Sequence, residues 1–316
     1  MANPVVSRKK PMAVMMSARA NVFYLQHAKV CQDGDRTVYL TRDGDIDKMF
    51  NIPEKNTAFI LLGKGTSITD AAARKLADSG VMVGFCGSGG SPLFSTVSHV
   101  FLEPHSEYRP TEYMQAWVRI WMDETLRLEA AKFMLRERIK ITTSSWKTLL
   151  PDIPIPETMK ERFMQRIAGS GDVMNLLMSE AEWAKGIYAL LAKKFRLSDF
   201  TREEGKQSTA SVPDMINGMI DHGNYIAYGY ASTVLTTLGI SYAFPLLHGK
   251  TRRGALVFDV ADLFKDAIVM PLAFKCGSEG LFDQEFRYQL IDKCWEWNVM
   301  DTLFDTLKKV TNKEFY

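Results

Sequence analysis

Through the first hundred residues the apolar positions come in short runs separated by turn-forming residues, which is the pattern of β-structure. Residues 22–25 and 37–40 are β-prone runs on either side of Asp33-Gly34-Asp35, and Arg42-Asp43-Gly44 follows as a second turn. The simplest pairing of these two runs is a hairpin. Residues 59–62 predict a further strand. Thr69 is suited to cap a short helix reaching Asp78, Gly80 to stop it, and residues 81–85 to resume the sheet. Residues 87–91 (GSGGS) predict a tight turn, with a strand led by Pro92 after it.

Beyond Glu103 the period changes to that of helices. After Pro104 and Pro110, Met114, Trp117, Trp121, Leu128, Ala131 and Leu135 fall on one stripe, predicting a single helix from Thr111 to Lys140, about 45 Å long at 1.5 Å per residue. Residues 151–156 carry three prolines and read as a linker. Long helices are expected over 172–196 and 213–238, and further helices to the C-terminus. There is no internal repeat and no low-complexity tract. The expected fold is therefore α+β: a small β-rich N-terminal domain (1–103) and a larger all-α domain (104–316).

Length agrees with two units, since 316 residues exceed one ordinary core. With 46% hydrophobic and 24% charged residues the chain is globular, which excludes disorder and fibrous classes. The net charge of +2 excludes a protein that coats nucleic acid along its whole surface, so any polyanion site must be local. Four cysteines, none in a C-x-x-C pair, are too sparse for a disulfide framework. The apolar run 12–16 behind Arg8, Lys9 and Lys10 is too short for a secretory signal, and no window is apolar enough to span a bilayer. A cytoplasmic protein with no membrane association is expected.

Several familiar motifs fail on their spacing. Gly249-Lys250-Thr251 resembles the end of a P-loop, but Phe244 stands where that motif needs its first glycine. The GSGGS turn lacks the strand-to-helix context of a dinucleotide fingerprint. Asp221-His222 on a helix reads as an ordinary polar pair.

The positions of certain acids are more informative. On the 172–196 helix, Val173, Leu177, Ala184, Ile187 and Leu191 predict the buried face, and Glu180 falls inside that stripe whereas Glu182 falls on the solvated side. A carboxylate on a core face costs several kcal/mol, roughly, unless a cation, hydrogen bonds or a metal compensates. Over 257–268 the helix is apolar around most of its circumference, and Asp259, Asp262 and Asp266 share one narrow strip. Such crowding is relieved either by a divalent cation or by pairing with Lys265 or a distant arginine. Just upstream, His248 ends the apolar run 243–247 and opens a basic turn with Lys250, Arg252 and Arg253. Carboxylates with one imidazole form a hard donor set suited to Mg2+ or Mn2+, and the basic turn is suited to phosphates. Phosphodiester chemistry on nucleic acid is the expectation.

These stretches resemble the CRISPR-associated spacer integrase, the first-numbered Cas protein of the adaptation machinery, in its type I-F form. The likeness lies in SEAEWAKGIYALLAKKF (179–195), IDHGNYIAYG (220–229) and LHGKTRRGALVFDVADLFKD (247–266). It extends to RANVFYLQH (19–27), NTAFILLGKGTSIT (56–69), VGFCGSGGSPLF (83–94) and SEYRPTEY (106–113). The resemblance implies a β-rich dimerisation domain, a helical catalytic domain, and a metal set of Glu180, His248 and Asp262 supported by Asp259, with Asp266 outside the family pattern. It implies Mg2+- or Mn2+-dependent transesterification, in which the 3′-hydroxyl of a protospacer duplex attacks the border phosphodiester of a CRISPR repeat. Lys250, Arg252 and Arg253 are then candidates for DNA backbone contacts. Implied partners are the DNA substrates (protospacer duplex and leader-repeat), a second copy of the chain, and the second-numbered Cas protein, fused in this subtype to the helicase-nuclease. A nuclease acting on branched DNA intermediates needs the same metal set, and a noncatalytic DNA-binding scaffold would use the acids in salt bridges instead.

Overall fold

The structure, a computed structural model, describes residues 15, 18–43, 46–86, 100–102, 111–197, 199–204, 211–248 and 254–315. Two small sheets open the chain. In the first, β1 (Asn21–Leu25), β5 (Thr57–Leu62) and β7 (Met82–Phe85) run parallel, and β8 (Val100–Leu102) closes the edge antiparallel. In the second, β2 (Ala28–Asp33) and β3 (Arg36–Asp43) form the hairpin through Gly34, flanked by β4 (Ile46–Ile52) and by β6 (Ser67–Ile68). The expected turn is present but its partner differs. Residues 37–40 pair with β2, while residues 22–25 lie in the other sheet against β5. Local alternation carries no information about which distant run completes a sheet.

Helix α1 (Asp70–Asp78) starts as expected, with Thr69 Oγ1 accepting the Ala72 N–H at 3.3 Å, and Gly80 follows it with φ +74°. Strand β5 is buried along its whole length, as a central parallel strand must be. Ile60 and Leu62 pack with α1 residues Ala72 and Leu76, whereas Phe59 and Leu61 join the core of the helical region. There Phe59 meets α6 (Val212–Thr237) at Gly229, where a Cβ would stand 2.3 Å from the Phe59 ring. The glycine is what allows sheet and helix to approach.

The remaining elements are α2 (Glu112–Met122), α3 (Glu124–Leu149), α4 (Glu157–Gly169), α5 (Val173–Lys194), α7 (Ala255–Phe264), a π-helical turn (Lys265–Val269), α8 (Met270–Ser278), α9 (Asp283–Glu296) and α10 (Val299–Thr311). The single helix expected over 111–140 is broken. Asp123 adopts extended backbone and its Oδ1 accepts the N–H groups of Thr125 (2.9 Å) and Leu126 (3.0 Å), so an N-cap interrupts the stripe. The proline linker at 151–156 separates α3 from α4 as expected. The GSGGS turn, the strand after Pro92 and the domain boundary at 103/104 lie outside the described residues. Among the described residues no helix is long and apolar enough to cross a membrane, and all four cysteines are free.

Sheet and helices also meet at His222. Its Nδ1–H donates to Asp283, whose charge is already shared with Arg287, and Tyr24 of β1 packs beside the ring. Nε2 is buried without a hydrogen-bond partner among the described residues. Burial, followed by the nearby Arg287 charge, lowers the His222 pKa to about 4 against a smaller upward pull from Asp221. Between its unfolded value, about 6.5, and about 4 the unfolded chain binds the extra proton, so stability falls as pH falls through that window. By pH 5 the loss from this residue is expected to be about 2 kcal/mol. Urea unfolding of His222→Gln should show a shallower decline between pH 7 and 5; an unchanged decline would assign the acid sensitivity elsewhere.

Candidate active site

The site is assembled on α3, α5, α7 and the loop that precedes α7. That loop is fixed from both sides. The indoles of Trp117 and Trp121 on α2 donate to the carbonyls of Phe244 and Pro245, both at 2.9 Å. From the other side Asp259 of α7, fully buried, accepts the backbone N–H groups of Leu246 (2.6 Å) and Leu247 (3.0 Å) through Oδ2 and that of His248 (3.1 Å) through Oδ1. Oδ1 also meets His248 Nδ1 at 2.6 Å. A carboxylate only accepts, so Nδ1 carries the hydrogen and the neutral imidazole keeps its lone pair on Nε2. Nε2 stands 4.0 Å from Asp262 Oδ2, too far for a hydrogen bond.

Asp262 is two-sided: Oδ2 is turned to His248, while Oδ1 pairs with Lys265 at 2.5 Å. Glu180, on α5, has Oε1 held by Arg138 Nη1 at 2.7 Å. Its side chain is 15% exposed, against 41% for Glu182, which pairs with Arg162 and Arg166. The α5 face is rotated from the expected stripe. Ile187 and Leu191 are buried, but Leu176, Ser179 and Trp183 complete the face, and Val173, Leu177 and Ala184 are half-buried at its border.

The three aspartates do not share one strip. The π-helical turn begins directly after Phe264 and carries Asp266 away from Asp262 into the interior, where it is fully buried against Arg138 and Trp183. Relief of the acid crowding therefore comes from Lys265 and a distant arginine. Arg138 was not anticipated, although the signal used for Glu180 was available: it stands on the apolar face of α3 among Leu135, Ile139 and Thr142. Lys250, Arg252 and Arg253 lie outside the described residues. Asp221 pairs with Arg202 and His222 with Asp283, so neither belongs to the site.

The charged groups of the cluster shift one another's ionisation. Burial lowers the His248 pKa, but the Asp259 hydrogen bond and the charges of Asp259, Asp262 and Glu180 outweigh it and leave the net shift upward. Burial opposes ionisation of Asp262, yet Lys265, Arg138 and His248 hold its pKa below the usual carboxylate value. Burial lowers the Lys265 pKa, but the charge and hydrogen bond of Asp262 and the charge of Tyr228 together leave the net shift upward. Counting Glu180, Asp259, Asp262 and Asp266 against Arg138 and Lys265, the cluster carries two more negative than positive charges among the described residues when His248 is neutral. Among the described residues no three His, Cys, Asp or Glu side chains are already gathered at metal-binding distances. The groups that could offer donors to a metal are Nε2 of His248, Oδ2 of Asp262 and the Glu180 carboxylate, of which the first two face each other across 4.0 Å.

Past Glu180, Lys185, Tyr188 and Lys193 of α5 line a cleft of about 910 Å3 together with Arg196, Phe200 and Arg202 beyond the end of the helix. This gives an exposed cationic and aromatic surface on the helix that supplies Glu180.

The family model for CRISPR associated protein Cas1 matches residues 23–295 of the chain. The chain is 41% identical over 320 residues to a CRISPR-associated endonuclease Cas1 of Pseudomonas aeruginosa, covering 98% of each chain. It is 40% identical over 312 residues to the corresponding protein of Pectobacterium atrosepticum, covering 95% of this chain and 94% of that one. The same fold is found in a casposase solved bound to an integration product, with a TM-score of 0.73 and 15% identity over 92% of this chain and 91% of that one.

Proposed function

Because the chain belongs to the Cas1 family of CRISPR-associated proteins, we propose that it is a metal-dependent DNA integrase of type I-F CRISPR adaptation, acting in the cytoplasm. Its substrates are a protospacer duplex and a CRISPR leader-repeat. The 3′-hydroxyl oxygen of the protospacer forms a bond to the repeat-border phosphorus while the phosphorus bond to the leaving 3′-oxygen breaks. The proton lost by the attacking hydroxyl is balanced by the one the leaving oxygen gains. One phosphodiester replaces another, so no nucleoside triphosphate is consumed in the step.

The observation that carries this reading is the pinned histidine. Asp259 locks His248 in the tautomer whose Nε2 lone pair faces Asp262 Oδ2. The two groups face each other across 4.0 Å with no hydrogen bond between them, so both could be offered to one Mg2+ or Mn2+ ion. Imidazole nitrogen with carboxylate oxygens suits such an ion, and the excess of two negative charges among the described residues matches one divalent cation. Glu180, His248 and Asp262 would hold it. When bound, the ion stabilises charge on the transferring phosphate and favours ionisation of the attacking hydroxyl. Asp259 keeps the proton of the neutral ring on Nδ1, so that the lone pair is on Nε2, and fixes the ring plane. The scaffold for this chemistry is a homodimer working with the second-numbered Cas protein, the β-rich unit serving the dimer contact.

Asp259→Asn removes the obligate acceptor opposite Nδ1 and admits the wrong tautomer, so strand transfer is expected to fall about 10- to 100-fold. The rate of joined-product formation on a denaturing gel measures it, and a wild-type rate would contradict the positioning role. The cleft on α5 is suited to the DNA backbone, its lysines and arginine neutralising phosphates. Replacing Lys185, Lys193 and Arg196 together by alanine should weaken duplex binding and reduce the salt dependence of log affinity by about 3. An unchanged slope in a binding titration across salt concentrations would place the DNA elsewhere.

The reading as a whole is tested by incubating the protein and its partner with a supercoiled repeat plasmid and end-labelled duplex, with and without Mn2+. Covalent joining of label to plasmid is the expected result. Nicking without joining would favour a nuclease on branched DNA, and binding without either would favour a noncatalytic scaffold.

A further inference from the structure

One buried cation holds the acid-rich site from behind. Arg138 is 3% exposed, and its guanidinium makes contacts along two directions. Nε and Nη2 grip Asp266 at 2.6 and 3.0 Å, and Nη1 reaches Glu180 Oε1 at 2.7 Å. Asp266 is itself immobilised. Its Oδ2 accepts the indole N–H of Trp183 at 2.8 Å, and its backbone carbonyl accepts that of Trp146 at 2.9 Å. The adjoining carbonyl of Ala267 accepts Ser145 Oγ. The π-helical turn is thus tied to α3 and α5 at the point where Asp266 leaves the strip of Asp259 and Asp262.

The guanidinium is a planar fork whose donors cannot turn independently. Once Nε and Nη2 are engaged by Asp266, the direction of Nη1 is set, and with it the position of Glu180 Oε1. A free glutamate side chain has several rotamers, and ordering it costs up to about 2 kcal/mol. Here that cost is met within the fold, and Oε2 is left for a second partner. We propose that Arg138 is a positioning residue of the strand-transfer site: locked by Asp266 and Trp183, it presents Glu180 for joint metal binding with His248 and Asp262. This rests on the metal-dependent reading given above and extends it to residues that do not themselves contact the ion.

The test separates geometry from attraction. Arg138→Lys keeps the positive charge but replaces the fork with a point charge, and the double variant Arg138→Gln/Asp266→Asn removes one charge of each sign. In both the net charge near the ion is unchanged, so a change in metal affinity reports the placement of Glu180. The metal-free full-length protein is titrated with Mn2+ by calorimetry, with Tm measured alongside. The double variant is expected to bind Mn2+ about 10- to 100-fold more weakly, with Arg138→Lys in between. The Mn2+ concentration for half-maximal strand transfer should rise in step.

Wild-type Mn2+ affinity in either variant, at a Tm like that of the parent, would overturn the proposal. Should the double variant fail to fold, Arg138→Lys alone decides it by the same criterion. A parent protein that binds Mn2+ without joining DNA would defeat the integrase reading and leave this titration decisive for Arg138. A parent protein that binds no Mn2+ would overturn both.

Discussion

Alanine at Glu180, His248 or Asp262 is expected to lower strand transfer by about 1,000-fold or more while binding of duplex DNA persists. On the proposed reading each side chain supplies one donor to the ion, and removing a single preorganised electrostatic group from a reacting phosphate typically costs on that order. The three variants should not be alike in stability. Asp262→Ala leaves Lys265, which is 13% exposed, without its 2.5 Å partner, so it is expected to unfold at lower denaturant than His248→Ala. Glu180→Ala leaves Arg138 still gripped by Asp266 and should be the mildest. Asp262→Asn and Glu180→Gln keep the shape of each residue and serve as folded comparisons. Joined product is quantified under denaturing conditions at fixed Mn2+, with DNA binding measured in parallel. Retained joining in the three alanine variants would show that these residues serve stability alone.

Arg138→Met is expected to destabilise the protein by about 3–5 kcal/mol. The methionine fills much the same space, so the loss comes from charge rather than from a cavity. Among the described residues Asp266 is left fully buried with the Trp183 N–H alone on its carboxylate, and an uncompensated interior charge is expensive. The corollary is that the double variant Arg138→Met/Asp266→Leu recovers most of the stability, because an apolar pair of similar volume replaces the ion pair. Urea unfolding of the parent, the single and the double variant measures both. A single variant within about 1 kcal/mol of the parent would mean that solvent or another cation reaches Asp266.

These two results bear on what a sequence can disclose about such a site. Elements defined by local chemistry were legible: the Thr69 cap, the stop at Gly80, the proline break after α3, and the long helices α5 and α6. Sheet pairing was not. Thr37 to Leu40 can be read as a strand, but nothing local distinguishes β2 from β1 as its neighbour. The Asp123 cap escaped notice because the apolar stripe continues across it in phase. The α5 face lies about one position from the apolar stripe because Trp183 is part of it, yet Glu180 still sits at its edge.

The aspartates show the limit most clearly. Regular helical geometry puts Asp259, Asp262 and Asp266 together, and only the π-helical turn, which no periodicity announces, sends Asp266 to Arg138. The choice between a metal and protein cations was open in the sequence, and the structure supplies Lys265 and Arg138. Two negative charges nevertheless remain, and a histidine lone pair is held toward them.

The most direct test of that arrangement is anomalous diffraction at the manganese edge from crystals of the protein soaked in Mn2+. A single peak about 2.0–2.3 Å from His248 Nε2, an Asp262 oxygen and a Glu180 oxygen is the predicted result. A peak held by other residues, or saturating Mn2+ with no density between His248 and Asp262, would contradict it.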